Sequence, residues 1–164
     1  MARSVLVTGA TGFLGSHVAR QLAERGDAVR VLVRKTSSLG RLDGLPVELR
    51  YGDVTDRDSV FAAAEGVDGI IHCAATVELG AVDLDPMFEI NVGGTLNVLE
   101  AAEENDAVGV HVSSISALGD SGDQIVDETW WSEKQADVGY YRIKREAHLL
   151  ARKLAERGAR IRIG

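Results

Sequence analysis

The chain has 164 residues, 45% of them hydrophobic, and a formal net charge of −7. That length and apolar share suit one soluble domain with a sizeable core. The acidic balance argues against nucleic acid or an anionic membrane as partner, and no apolar run is long enough to span a bilayer.

Val5 to Val7 form a short β-branched apolar run bounded by glycine, the pattern of a buried strand. With such a run almost at the N-terminus, no secretory leader is expected. Gly9, Gly12 and Gly15 follow at three-residue intervals, and Phe13 onward reads as a helix. A strand, a glycine turn and a helix start bring unpaired backbone N–H groups and the positive end of the helix dipole to one point. A pyrophosphate fits there if no Cβ blocks it. Gly9 lets the turn form, Gly12 lets the backbone come close, and Gly15 lets the helix pack tightly. With strand and helix flanking the glycines correctly, the stretch predicts dinucleotide binding.

The first helix is expected to run to about Arg25, with Leu14, Val18 and Leu22 as its apolar stripe and Gly26 as its C′ residue. His17 in its first turn has no second metal-type residue spaced to join it, so no metal site is expected. Ala28 to Val33 is the second strand. The residue after that strand meets the adenosine ribose in a dinucleotide fold, and an acidic residue there favours NAD. Here Arg34 and Lys35 stand instead, followed by Thr36, Ser37 and Ser38. Cations and hydroxyls suit a 2′-phosphate, so NADP(H) is expected, with NAD possible and an ordinary basic loop as the alternative.

Val47 to Tyr51 is the third strand, and Asp56 is placed to cap a short helix over 57–65. Asp68 to Ala74 is the fourth strand, with Cys73 expected as a small core residue. One cysteine cannot close an intramolecular disulfide, which fits a reducing, cytoplasmic setting. Residues 76–83 form a loop. Asp85 then caps a long helix to about Glu104, with Pro86 at its first position. Gly93 and Gly94 inside that helix imply a close contact with a strand, the cofactor or another helix. Val108 to Ser113 is the fifth strand. Residues 120–138 are a polar loop whose Trp130 and Trp131 cover a site, anchor a partner or pack under the next helix. That last helix starts near Gly139, and its cations at 142, 144, 145, 152, 153 and 157 read mostly as a solvated face. It places Tyr140 and Lys144 on one side, at Y-x-x-x-K spacing.

Thr8-Gly-Ala-Thr-Gly-Phe-Leu-Gly15 resembles the TGxxGxxG turn of the extended short-chain dehydrogenase/reductase family, which includes NAD(P)-dependent epimerases, dehydratases and dihydroflavonol-reductase-like enzymes. His72-Cys-Ala-Ala75 resembles the family's H-x-A-A segment, and Asn91 to Asn97 its N-V-x-G-T-x-N stretch. Ser113 to Gly119 is similar to S-S-x-x-x-Y-G, with Leu118 where tyrosine is commoner. The resemblance implies an α/β Rossmann-like doubly wound parallel sheet of order 3-2-1-4-5-6 in three layers. It also implies hydride transfer between the nicotinamide and a small-molecule carbonyl or secondary alcohol, with Tyr140 as acid/base, Lys144 tuning it and Ser114 donating to the substrate oxygen. Ser113 is the runner-up for the serine role, and Tyr141 is the competing phenol, with Arg145 rather than lysine four residues on.

The cofactor residues so implied are Gly9, Thr11, Gly12, Phe13, Leu14 and Gly15 in the turn, and Arg34 and Lys35 at the ribose. Asp53 and Val54 belong near the adenine, and Ala74, Ala75, Thr76, Asn91, Ser113, Tyr140 and Lys144 further along. Members continue well past the apparent sixth strand at Ile161 to Gly164, so a fragment without its C-terminal substrate-binding region is expected. A homodimer through the helices at 86–104 and 139–157 is implied as well. A cofactor-binding fragment without turnover, or an NADP-sensing protein, is the alternative function.

Overall fold

Alternation along the strands sets the architecture. The computed structural model describes residues 2–78, 83–134 and 138–164. In β1 (Ser4–Thr8), Val5 and Val7 face one side of the sheet while Leu6 and Thr8 face the other, and Val5 to Thr8 are all buried. A strand buried on both faces belongs in the middle of a parallel sheet covered by helices. The six strands are β1, β2 (Ala28–Val33), β3 (Val47–Tyr51), β4 (Gly69–His72), β5 (Val108–His111) and β6 (Ile161–Ile163). They pair in the order β3-β2-β1-β4-β5-β6, every neighbour parallel. The order reverses between β1 and β4, which opens a crevice at the strands' carboxyl ends.

One face is covered by α1 (Phe13–Glu24), through Ala19 and Leu22 against Val5, Val7, Val29 and Val31. The other is covered by α2 (Arg57–Ala64) and α4 (Gly94–Glu104), through Val60, Ala63, Val98 and Ala102 against Leu6 and Ile70. The last helix, α5 (Gly139–Glu156), packs Ala151 and Leu154 against Leu99 and Ile161. Among the described residues no helix is long and apolar enough to cross a membrane.

Several expected details differ. The buried stripe of α1 is Gly15, Ser16, Ala19 and Leu22, whereas Leu14 is half exposed and Val18 only partly buried. Small residues face inward because α1 lies hard against the turn before it. β4 ends at His72 and β5 at His111, two residues before the expected ends, although single backbone hydrogen bonds continue beyond them, from the Cys73 N–H to the Thr8 carbonyl and from the Ser113 N–H to the Gly164 carbonyl. Asp56 occupies the N-cap of α2 without a side-chain cap bond. Neither Asp85 nor Pro86 is where it was expected. Leu84 is the N-cap of α3 (Asp85–Phe88), and Asp83 accepts the Asp85 N–H at 3.1 Å. The run from Asp85 to Glu104 is also not uniform: Glu89–Gly93 form a π segment, with the Gly94 N–H on the Glu89 carbonyl. Parts of the loops expected at 76–83 and 120–138 lie outside the described residues.

Candidate functional site

The turn between β1 and α1 is built as the glycine spacing requires. Gly9 has φ +70°, and a Cβ on it would lie 2.6 Å from the Ala74 nitrogen, so the turn is pressed against the end of β4. A Cβ on Gly15 would lie 2.3 Å from the Gly9 carbonyl oxygen. No side chain caps α1, which leaves its first-turn N–H groups available to an anion.

A cleft of about 290 Å³ opens beside this turn. Of the sequence-predicted residues it gathers Gly9, Thr11 and Gly12, then Arg34, Asp53 and Val54, and finally Ala74, Ala75 and Thr76. Leu32, Val33, Ser37, Gly52, Cys73 and Ile90 complete the wall. Of these only Ser37 carried a signal in the sequence, as a hydroxyl in the Arg34 loop. Cys73 was expected in the core. It is instead partly buried on the cleft wall, because β4 has already ended, and burial pushes its thiol up to about 11. Asp53 Oδ1 accepts from the Thr55 N–H and hydroxyl, and Ser59 holds the Asp53 backbone.

The other predicted residues lie outside the cleft wall. Phe13 and Leu14 are exposed at the start of α1, Gly15 is buried under the turn, and Lys35 faces solvent. Asn91 is 2% exposed, and its amide is spent on Thr76: Oδ1 accepts the Thr76 N–H and Nδ2 donates to the Thr76 carbonyl, each at 2.8 Å. It therefore reaches the cleft only through Thr76. Gly94 makes a close contact, though with the loop after β3 rather than with a strand or another helix: a Cβ there would lie 2.8 Å from the Val54 side chain, whereas one on Gly93 would meet only the Glu89 carboxylate at 3.5 Å.

Ser113, Ser114, Tyr140 and Lys144 come from the end of β5 and the first turns of α5. Lys144 is buried and donates to the Val112 carbonyl at 3.2 Å, tying α5 to the serine segment, and burial lowers its pKa. Ser114 caps a short 3₁₀ turn (Ile115–Ala117), with its Oγ accepting from the Ser116 N–H at 3.2 Å and hydroxyl at 2.8 Å. Its own hydroxyl proton is then left for another acceptor. Ser113 Oγ is engaged by His148 Nδ1 at 2.8 Å. The Tyr140 and Tyr141 rings meet edge to face.

The basic run of α5 is not uniformly solvated. Lys144 and Arg145 are buried, and Arg145 donates to the Ser132 carbonyl at 2.7 Å and stacks on Trp131. Trp131 thus packs against α5 and also meets His148. Trp130 is partly buried, and its indole N–H has no partner among the described residues.

Residues 5–163 match the family model described as NAD dependent epimerase/dehydratase family. Sterol demethylase protein B of Methylococcus capsulatus is 41% identical over 128 residues, which is 77% of this chain and 39% of that protein. The crystal structure of gox2253 superposes with a TM-score of 0.87 at 39% identity, covering 98% of this chain and 50% of that one. DesIV, the dTDP-glucose 4,6-dehydratase of Streptomyces venezuelae solved with NAD and TYD bound, gives 0.86 at 30% identity, covering 98% and 54%. The chain thus spans about half the length of these proteins or less.

Proposed function

From a chain that belongs to the NAD-dependent epimerase/dehydratase family, we propose an oxidoreductase half that binds NADP(H) and transfers hydride between it and a carbonyl or secondary-alcohol substrate. The carrying observation is the uncapped glycine turn opening onto a cleft that also takes in Arg34 and Ser37. The residues present fit a dinucleotide. The turn offers N–H groups and no Cβ to the pyrophosphate, and Asp53 and Val54 line the adenine end. Arg34 and Ser37 offer charge and a hydroxyl to a 2′-phosphate, with Lys35 an added cation in solution. When bound, the nicotinamide supplies or accepts the hydride.

The chain's own residues move the proton. Ser114 donates its spare hydroxyl proton to the substrate oxygen, which holds that oxygen where charge changes. Tyr140 gives or takes the proton at that oxygen, and the Lys144 ammonium one turn away favours the phenolate. Lys144 is anchored on Val112, two residues before Ser114, so one buried cation aligns the helix with the serine segment. Tyr141 is not chosen, because Arg145, four residues on, is committed to Ser132. The same residues serve reduction and the transient oxidation of an epimerase or dehydratase. A dimer through the helical stretch from α3 to α4 and through α5, and a cytoplasmic setting, complete the proposal.

Tyr140→Phe tests it, with NADPH oxidation by wild type and variant assayed against a panel of ketones and aldehydes. Turnover falls by about 100-fold or more with NADPH affinity unchanged. A variant that keeps its turnover rules out the Tyr140 mechanism, and unchanged binding without turnover in either protein favours the non-catalytic reading.

A further inference from the structure

We infer that His72 is a positioning residue of the cofactor cleft: a neutral ring, protonated on Nε2, that joins the two anchors of the segment 74–76. The assignment follows atom by atom. Thr95 has one hydroxyl proton, and it goes to the Asn91 carbonyl at 2.6 Å. Toward His72 Nε2, 3.1 Å away, Thr95 Oγ1 therefore accepts, so Nε2 carries hydrogen. The ring is 1% exposed, and burial, with Lys144 nearby, holds its pKa at about 3. It is neutral, and Nδ1 is bare. Nδ1 then accepts from the Thr8 hydroxyl at 2.7 Å, and Thr8 Oγ1 accepts in turn from the Ala74 N–H at a long 3.4 Å.

The wire has one direction throughout, from Ala74 through Thr8, His72 and Thr95 to Asn91. Its two ends hold the cleft wall. Thr8 immediately precedes the glycine turn and meets Ala74, while the Asn91 amide grips Thr76 on N–H and carbonyl alike. Asn91 sits in the π segment; its carbonyl takes the hydroxyl of Thr95 four residues on, the back-bond open to a helical threonine, and its amide turns to Thr76. A cationic His72, or the Nδ1–H tautomer, breaks a link, because Thr8 would face a donor or Thr95 would lose one. What the cleft holds rests on the cofactor reading above, whereas the wiring does not.

The test has two arms on the same chain. Ring ¹⁵N NMR of labelled wild type reads the tautomer directly: the inference expects a protonated Nε2 and a bare Nδ1 at neutral pH. An Nδ1–H ring or a charged ring overturns it, whether or not any variant folds. In the second arm, NADPH is titrated into His72→Asn and His72→Gln. The asparagine amide oxygen replaces the Nδ1 acceptor toward Thr8, and the glutamine amide N–H₂ replaces the Nε2 donor toward Thr95. His72→Asn keeps the link nearest the glycine turn and holds affinity within roughly threefold, whereas His72→Gln loses about tenfold at a matched melting temperature. Equal losses that track melting temperature would make His72 a space filler and overturn the positioning role. Wild type that binds neither NADPH nor NADH would defeat the cofactor reading alone, and the NMR arm would still decide the wiring.

Discussion

Lowering the pH from 7 to 5 destabilises this fold through two imidazoles. His72 and His111 are each 1% exposed and stack with ring centroids 5.8 Å apart. Burial holds both near a pKa of about 3. An unfolded histidine titrates near 6.5. Between those values the unfolded chain binds protons that the folded chain refuses, so stability falls as pH drops through 6.5 and the loss continues to about 3. Since the folded values lie well below 5, the loss at pH 5 depends only on the unfolded value: about 2 kcal/mol for each ring. About 4 kcal/mol is a large part of a stability of roughly 5–15 kcal/mol. His148, whose pKa is also lowered by burial, adds in the same direction. The carboxylates held low by hydrogen bonds, Asp27, Asp120 and Asp127, lose stability only below their unfolded range near 4, outside this window. The assay is urea unfolding at half-unit steps from pH 7 to pH 5. His111→Phe isolates one ring, because neither His111 nitrogen has a hydrogen-bond partner among the described residues. The variant gains about 2 kcal/mol more at pH 5 than at pH 7. Wild-type stability that is flat or rising toward pH 5, or an unchanged slope in His111→Phe, would refute the reasoning.

Gly15→Ala puts a methyl 2.3 Å from the Gly9 carbonyl oxygen. It should cost about 1–3 kcal/mol in a thermal melt and abolish NADPH binding, and a variant that matches wild type in both would contradict the packing described for the turn. Leu149 and Phe88 are apolar and exposed on α5 and α3. Sedimentation at micromolar concentration should show a dimer that Leu149→Glu converts to monomer, and a monomeric wild type counts against the dimer.

Strand positions were legible because their signals were local, β-branched runs and glycine punctuation, whereas the sheet order came from the family resemblance carried by one motif set in one order. β2, β3 and the start of α1 fall where the sequence placed them, and β1 runs one residue further at each end than Val5 to Val7. Features that depend on how elements press together were not legible. Leu14 has the helical spacing of a core residue, but the tight seat of Gly15 on the turn rotates it toward solvent. The π segment has no periodic signature, and its visible traces are Asn91 and the adjacent glycines. Lys144 and Arg145 sit in a run of charges that reads as solvated, and their burial is made tolerable by the Val112 carbonyl for Lys144 and by the Ser132 carbonyl, Glu133 and the Trp131 ring for Arg145. Most of the cleft wall was foreseen from the motifs, whereas Leu32 enters it from near the end of β2, Gly52 from just after β3 and Ile90 from the π segment, placements that leave no trace in composition.

The cofactor claim is tested most directly by calorimetric titration of this chain with NADPH and, in parallel, NADH. The account predicts tight NADPH binding, NADH weaker by about tenfold or more, and a difference that Arg34→Ala removes. Equal binding of the two would contradict the role given to Arg34 and Ser37. Binding of neither would contradict the claim that the glycine turn and its cleft form a dinucleotide site.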